Sequence, residues 1–163
     1  MVKATLWDVA AATPDPELPA VTIGDLGILR DIAQEDDGIV VTITPTYSGC
    51  PAMREISADV SARLRRAGAS GVEVRAQLAP PWSSDWITAD GRRKLAAAGI
   101  APPAAAPTRQ GPVPLTLAAP PAVPCPACGS LRTRRTADFG ATACKSLHRC
   151  GDCDEPFEAV KPL

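Results

Sequence analysis

The sequence predicts an α+β chain in three parts: a small α/β sandwich over 1–100, a proline- and alanine-rich linker over 101–124, and a small cysteine-rich module over 125–163. Three observations predict it. Helical and strand periodicities alternate through the first hundred residues. Residues 101–124 carry eight prolines, seven alanines and one charge, Arg109. Five of the six cysteines follow that stretch, four of them as two C-x2-C pairs.

The elements follow in order. Leu6, Val9 and Ala10 make one face of a short helix that Pro14 stops. Asp15-Pro16-Glu17-Leu18-Pro19 reads as a rigid turn and Asp25-Leu26-Gly27 as a second. Ile28 to Ala33 is a strand. Asp36-Asp37-Gly38 is a hairpin turn, with glycine supplying a positive φ. Ile39 to Thr44 is β-branched throughout, which favours a strand. Pro45 to Pro51 is a loop. Met53, Ile56, Val60 and Leu64 then recur at helical spacing, and Gly68 and Gly71 end that helix. Val72 to Leu78 alternates as a third strand. Pro80 to Trp86 is a loop, and a basic helix around Gly91 to Ala98 stops at Gly99. Helices covering a short mixed sheet make a small sandwich. The linker cannot be a helix or a central strand, because proline lacks the amide donor and fixes φ. It reads as a semi-rigid polyproline-type spacer.

Charge and hydropathy exclude several classes. Seventeen Lys and Arg stand against eighteen Asp and Glu, a formal net charge of −1. A nucleic-acid binder usually carries a basic excess. No apolar run approaches the ~18 residues of a membrane helix. The N-terminal residues lack the apolar core of a signal peptide. Six cysteines without a secretion signal point to metal or reactive thiols rather than disulfides. No P-loop, G-x-S-x-G or H-E-x-x-H motif occurs, nor the E-x-x-H pairs of a di-iron site.

The strongest chemical signal is Cys125-Pro-Ala-Cys128-Gly together with Cys150-Gly-Asp-Cys153, separated by 21 residues. Each pair places two thiolates on one tight turn, and two turns complete a tetrahedral four-sulfur site. A structural zinc ribbon is expected, with a rubredoxin-like iron site as the alternative. About 39 residues bury too little surface to fold without the metal. Cys144 is a fifth thiol here, read either as a candidate additional ligand or as a thiol buried under the ribbon. His148 is the only histidine, and reads as a substitute ligand, as a ligand of a second, labile metal, or as a surface imidazole.

Cys50 is the second signal. Pro51 suits the first position of the following helix, which makes Cys50 its expected N-cap. A thiol there faces free amides and the positive end of the helix dipole, so its pKa should fall below the ordinary ~8.5. Trp82 and Trp86 sit in a proline-stiffened loop and could anchor a protein partner, or fold back over the sheet. Arg92-Arg93-Lys94 reads as a solvated helix face.

Asp15-Pro16-Glu17, Asp25-Leu26-Gly27, the β-branched strand and Thr46 to Cys50-Pro51 resemble the metal–sulfur cluster assembly domain of SufT-like iron–sulfur maturation factors. Four blocks resemble the PaaD (PaaJ) family over nearly the whole chain: Thr44-Pro-Thr-Tyr-Ser-Gly-Cys-Pro51, Pro80-Pro-Trp-Ser-Ser-Asp-Trp-Ile87, Gly99-Ile-Ala-Pro-Pro103 and Phe139-Gly140 to Cys144-Lys145. That family is the small subunit of phenylacetyl-CoA epoxidase systems in aerobic phenylacetate breakdown. The resemblance implies a cytoplasmic accessory protein whose partners are the other subunits of the system, oxygenase or reductase, with no nucleic acid and no membrane. It implies that Cys50 handles a transient iron–sulfur cluster or iron, with Asp15, Glu17, Asp25 and Thr46 nearby. It implies no catalysis by this chain itself, in keeping with its lack of oxygen-activating ligands. A purely structural docking subunit is the competing reading.

Overall fold

The computed structural model describes residues 3–35, 38–105 and 121–163. Asp36 and Asp37 of the expected hairpin turn, and most of the linker including Arg109, lie outside the described residues. The chain is α+β and forms two compact units, Met1–Lys94 and Leu95–Leu163.

The first unit is built on a three-stranded sheet in the order β1-β2-β3. Helix α1 (Lys3–Ala11) leads to β1 (Leu29–Glu35), which pairs antiparallel with β2 (Gly38–Ile43). Helix α2 (Ala52–Arg66) crosses over to β3 (Val72–Ala76), which pairs parallel with β2, Ile39 opposite Val72 and Ile43 opposite Ala76. A parallel partner requires such a crossover, because a tight turn can only return the chain antiparallel. Strand β2 is therefore central, and Ile39, Val40, Val41 and Ile43 are all buried. Helix α2 buries Ala52, Ile56, Val60 and Leu64. Met53, expected on that face, is half-buried, and Ala52 takes the place instead. Strand β3 ends at Ala76, two residues short of its expected end.

The segment between α1 and β1 contributes more core than its turn residues suggest. Leu18, Val21, Ile23, Leu26 and Ile28 are buried there. Asp15 folds the turn by accepting from the amides of Glu17 and Leu18, both at 2.8 Å. After β3, Ser84–Trp86 forms one 3-10 turn. The expected basic helix follows as α3 (Ala89–Ala97), starting at Ala89 rather than Gly91.

The second unit holds a four-stranded sheet in the order β4-β7-β6-β5. Strand β4 (Ile100–Ala101) takes in the first residue of the expected linker. β5 (Thr133–Ala137), β6 (Lys145–Cys150) and β7 (Pro156–Val160) follow it as an antiparallel meander. β4 adds to β7 in parallel, Ile100 opposite Glu158. Its core is small: Ala101, Cys125, Cys150, Phe157 and Ala159, with Val123 packed against them. Among the described residues no helix is long and apolar enough to cross a membrane.

Candidate functional site

The second unit gathers the four predicted ligands. The Sγ atoms of Cys125, Cys128, Cys150 and Cys153 all lie within 4.8 Å of one another. Cys125 is 3.8 Å from Cys153 and Cys128 is 3.5 Å from Cys150. A tetrahedral thiolate site with metal–sulfur bonds of about 2.3 Å has sulfur–sulfur edges of about 3.8 Å, so the donor set fits a first-row divalent metal. Two turns build it. The Gly129 amide donates to the Cys125 carbonyl at 2.8 Å, and Gly129 has φ +75, a conformation in which a side chain is strained. The Cys150 turn aims backbone amides at sulfur, with Asp152 N–H 3.4 Å from the Cys150 Sγ. The Cys153 and Asp152 amides pull the Cys150 thiol down to about 6. The Glu155 amide lowers Cys153, but the surrounding thiols outweigh it and push that group up to about 12. Four thiols this close resist ionising together, and a bound cation supplies the charge that lets them.

Cys144 is buried but is not a member of the four-sulfur group; its Sγ is 3.1 Å from the Thr142 hydroxyl. His148 is neither a ligand of that group nor a surface imidazole. It is buried, stacked on Phe157 with centroids 5.4 Å apart, and its Nε2 lies 2.9 Å from the Ser146 hydroxyl. Burial, then the charge of Arg135, holds its pKa below the ordinary value.

Cys50 lies in the first unit, in the loop between β2 and α2, and is half-buried. It is not the N-cap. Pro51 takes that position in helical backbone, φ −68 and ψ −25, and supplies no side-chain acceptor. Cys50 stands one residue earlier, its amide donating to the Tyr47 carbonyl at 3.1 Å. Proline has no amide hydrogen, so it accepts this position readily. The thiol still sits just before the first turn of α2, in the loop that follows the central strand β2.

Asp15 and Asp25 are buried and committed to the backbone. Asp15 closes its own turn. Asp25 accepts from the Thr22 amide at 3.0 Å while Thr22 Oγ1 accepts from the Asp25 amide at 3.1 Å. Lys94 Nζ reaches the same carboxylate at 2.8 Å. Gly27 and Gly91 allow the close packing around this point: a Cβ on Gly27 would lie 2.6 Å from that of Trp86, and one on Gly91 2.8 Å from the Asp25 carbonyl. Glu17 and Thr46 are half-buried.

Trp82 does not present a docking surface. It is buried, and its indole N–H donates to the Leu26 carbonyl at 2.9 Å. Trp86 is half-buried, with the Arg30 guanidinium stacked 3.6 Å from its ring centroid. Arg92 and Lys94, read as solvated, donate to the Ser84 carbonyl and the Asp25 carboxylate. Sequence reasoning had no local signal for that pairing, because Asp25 and Lys94 are 69 residues apart.

Comparison with known proteins bears on both units. Residues 3–76 match the family model described as iron-sulfur cluster assembly protein, and residues 109–161 match that of the PaaD zinc beta ribbon domain. The chain is 41% identical over 156 residues to an Escherichia coli K12 protein provisionally named as a subunit of 1,2-phenylacetyl-CoA epoxidase, covering 96% of this chain and 90% of that one. It is 34% identical over 83 residues to a Porphyromonas gingivalis Fe-S protein maturation auxiliary factor, covering 50% of this chain and 78% of that protein. The crystal structure of a domain of unknown function, DUF59, from Bacillus anthracis superposes with a TM-score of 0.53 at 30% identity, over 57% of this chain and 90% of that one.

Proposed function

Because the chain belongs to the PaaD family of phenylacetyl-CoA epoxidase subunits, we propose that it is an accessory protein of such an epoxidase system that helps mature an iron–sulfur or iron centre in a partner subunit. Its partners are then the oxygenase or the reductase of the system, and its place is the cytoplasm. Residues 1–100 carry the maturation activity, 101–124 are the spacer, and 125–163 form a structural zinc ribbon. The observation that carries this reading is the position of Cys50. It is a half-buried thiol in the loop between β2 and α2, just before the first turn of α2, within the segment that matches the iron-sulfur cluster assembly family.

The chemistry is ligand exchange. A thiolate at Cys50 is a soft donor suited to iron. One thiolate fills one position on the metal, so the client supplies the others and takes the cargo as its own cysteines or carboxylates replace the Cys50 sulfur. No electron changes hands in that exchange. The four-cysteine site plays no part in it, since a closed tetrahedral set leaves no open position.

The test is a Cys50→Ser chain in a host that grows on phenylacetate. Serine keeps the shape and removes the soft donor. Growth should fail, and the client should accumulate with under-filled metal sites that chemical reconstitution restores. Normal growth would overturn the thiol mechanism and leave the docking-subunit reading.

A further inference from the structure

The second unit contains a cavity of about 550 Å³. Its floor is the sheet face that carries Ser146, His148 and Ala159. Alternation along β6 puts Ser146 and His148 on this face and turns Leu147 and Arg149 outward. The walls are the two ends of the proline-rich segment, Pro102–Ala104 leaving β4 and Pro121–Pro124 entering the Cys125 turn. Thr133 Oγ1 donates to the Val123 carbonyl at 2.7 Å and ties the second wall to β5. Arg135 and Lys161 also line it.

Three features distinguish this cavity from a packing gap. Its volume falls in the range of small-molecule sites, which are mostly apolar with a few convergent polar groups. Its floor holds a polar pair, the Ser146 hydroxyl and the His148 imidazole 2.9 Å apart, and both residues are buried. Burying such a pair costs free energy that a fully apolar floor would avoid. Lys161 brings a cation whose partners are the Ala143 carbonyl at 2.9 Å and the Phe139 ring at 3.9 Å. Among the described residues no side-chain carboxylate pairs with it.

We propose that this cavity binds a small organic acid, with its apolar, ring-sized body between the proline walls and its carboxylate at Lys161. Proline rings offer flat, rigid apolar faces that lose little entropy on binding. The ammonium supplies the charge-assisted hydrogen bond that selects an acid over its neutral analogue. The Ser146–His148 pair orients the acid end from below. The proposal is independent of the Cys50 reading, since every group it uses lies in the second unit.

The experiment titrates the full, metal-loaded chain with 1-naphthylacetate and with 1-naphthylacetamide. The acid should bind at least about tenfold more tightly than the amide, as a charge-assisted hydrogen bond is worth that much or more. Lys161→Met should erase the preference. Amide NMR signals of Ser146, His148 and Val160 in the unaltered chain should shift on titration. Val123→Trp fills the cavity and should abolish binding while the four-cysteine metal is retained. Absence of binding, equal binding of acid and amide, or shifts confined to other residues would each overturn the proposal. The NMR map on the unaltered chain decides the question even if Val123→Trp fails to fold.

Discussion

The indole N–H of Trp82 donates to the main-chain carbonyl of Leu26 at 2.9 Å, across 56 residues of sequence. The bond joins the loop after β3 to the turn that Asp25 organises. A loop whose composition suited a partner surface is thereby part of the core. Trp82→Phe keeps most of the apolar burial and leaves the Leu26 carbonyl unpaired, for a loss of about 1–3 kcal/mol. Trp82→Ala also opens a cavity and should cost about 3–5 kcal/mol. Urea unfolding followed by circular dichroism checks both. An unchanged midpoint for Trp82→Ala would return the ring to the surface.

The Asp25 carboxylate ties helix α3 to the same turn through Lys94. Burial opposes its charge, but Lys94 and both the amide and hydroxyl of Thr22 more than offset this and hold its pKa below the ordinary 3.8. A carboxyl with a lowered folded pKa stabilises the fold above its unfolded pKa and loses that contribution as pH falls through the folded value. Asp25→Asn should therefore lower the urea midpoint at neutral pH, by an amount reduced by solvent screening of the exposed Lys94 side. The gap between Asp25→Asn and the unaltered chain should narrow steadily below pH 3.8. A gap independent of pH would mean that the carboxylate charge contributes nothing.

Much of this architecture was legible because local chemistry decides it. β-branched Ile39 to Thr44 has one good conformation, and the paired C-x2-C spacing has one good use. The less legible parts depend on contacts between distant residues. Nothing near Lys94 names Asp25, and nothing near Trp82 names Leu26. His148 looked exposed because its partners Phe157 and Ser146 meet it only through strand pairing. Strand β4 is two residues long, too short for any period, so its addition to β7 is visible only in the fold. Cys50 was found by its Cys-Pro context, yet its place one residue before the cap depends on the helical backbone of Pro51.

The four-sulfur site predicts a sharp division among the thiols of the second unit. Cys128→Ser removes one donor and should release the metal. Cys144→Ser should retain it in full, because that sulfur lies outside the group and faces Thr142. Native mass spectrometry of each variant reads the difference as the mass of one metal ion per chain. A metal lost from Cys144→Ser would make it a ligand, and one kept by Cys128→Ser would break the assignment.

Metal removal should act on one unit and spare the other. Among the described residues the second unit's core cluster is small, Ala101, Cys125, Cys150, Phe157 and Ala159, and two of these belong to the four-cysteine group. Such a core cannot offset the entropy of ordering its strands, so metal binding supplies much of the folding free energy, on the order of 10 kcal/mol for a structural thiolate site. The first unit has its own fully buried side chains, among them Ile23, Ile32, Ile43, Ile56 and Leu64. A chelator at neutral pH should therefore abolish hydrogen-exchange protection at the amides of β5 and β6, while the β2 amides of Val40, Val41 and Ile43 stay protected. The buried thiols of Cys125 and Cys150 should become alkylatable in step with the metal lost. If β6 kept its protection after the metal had gone, the ribbon would be a fold that carries a metal rather than one made by it.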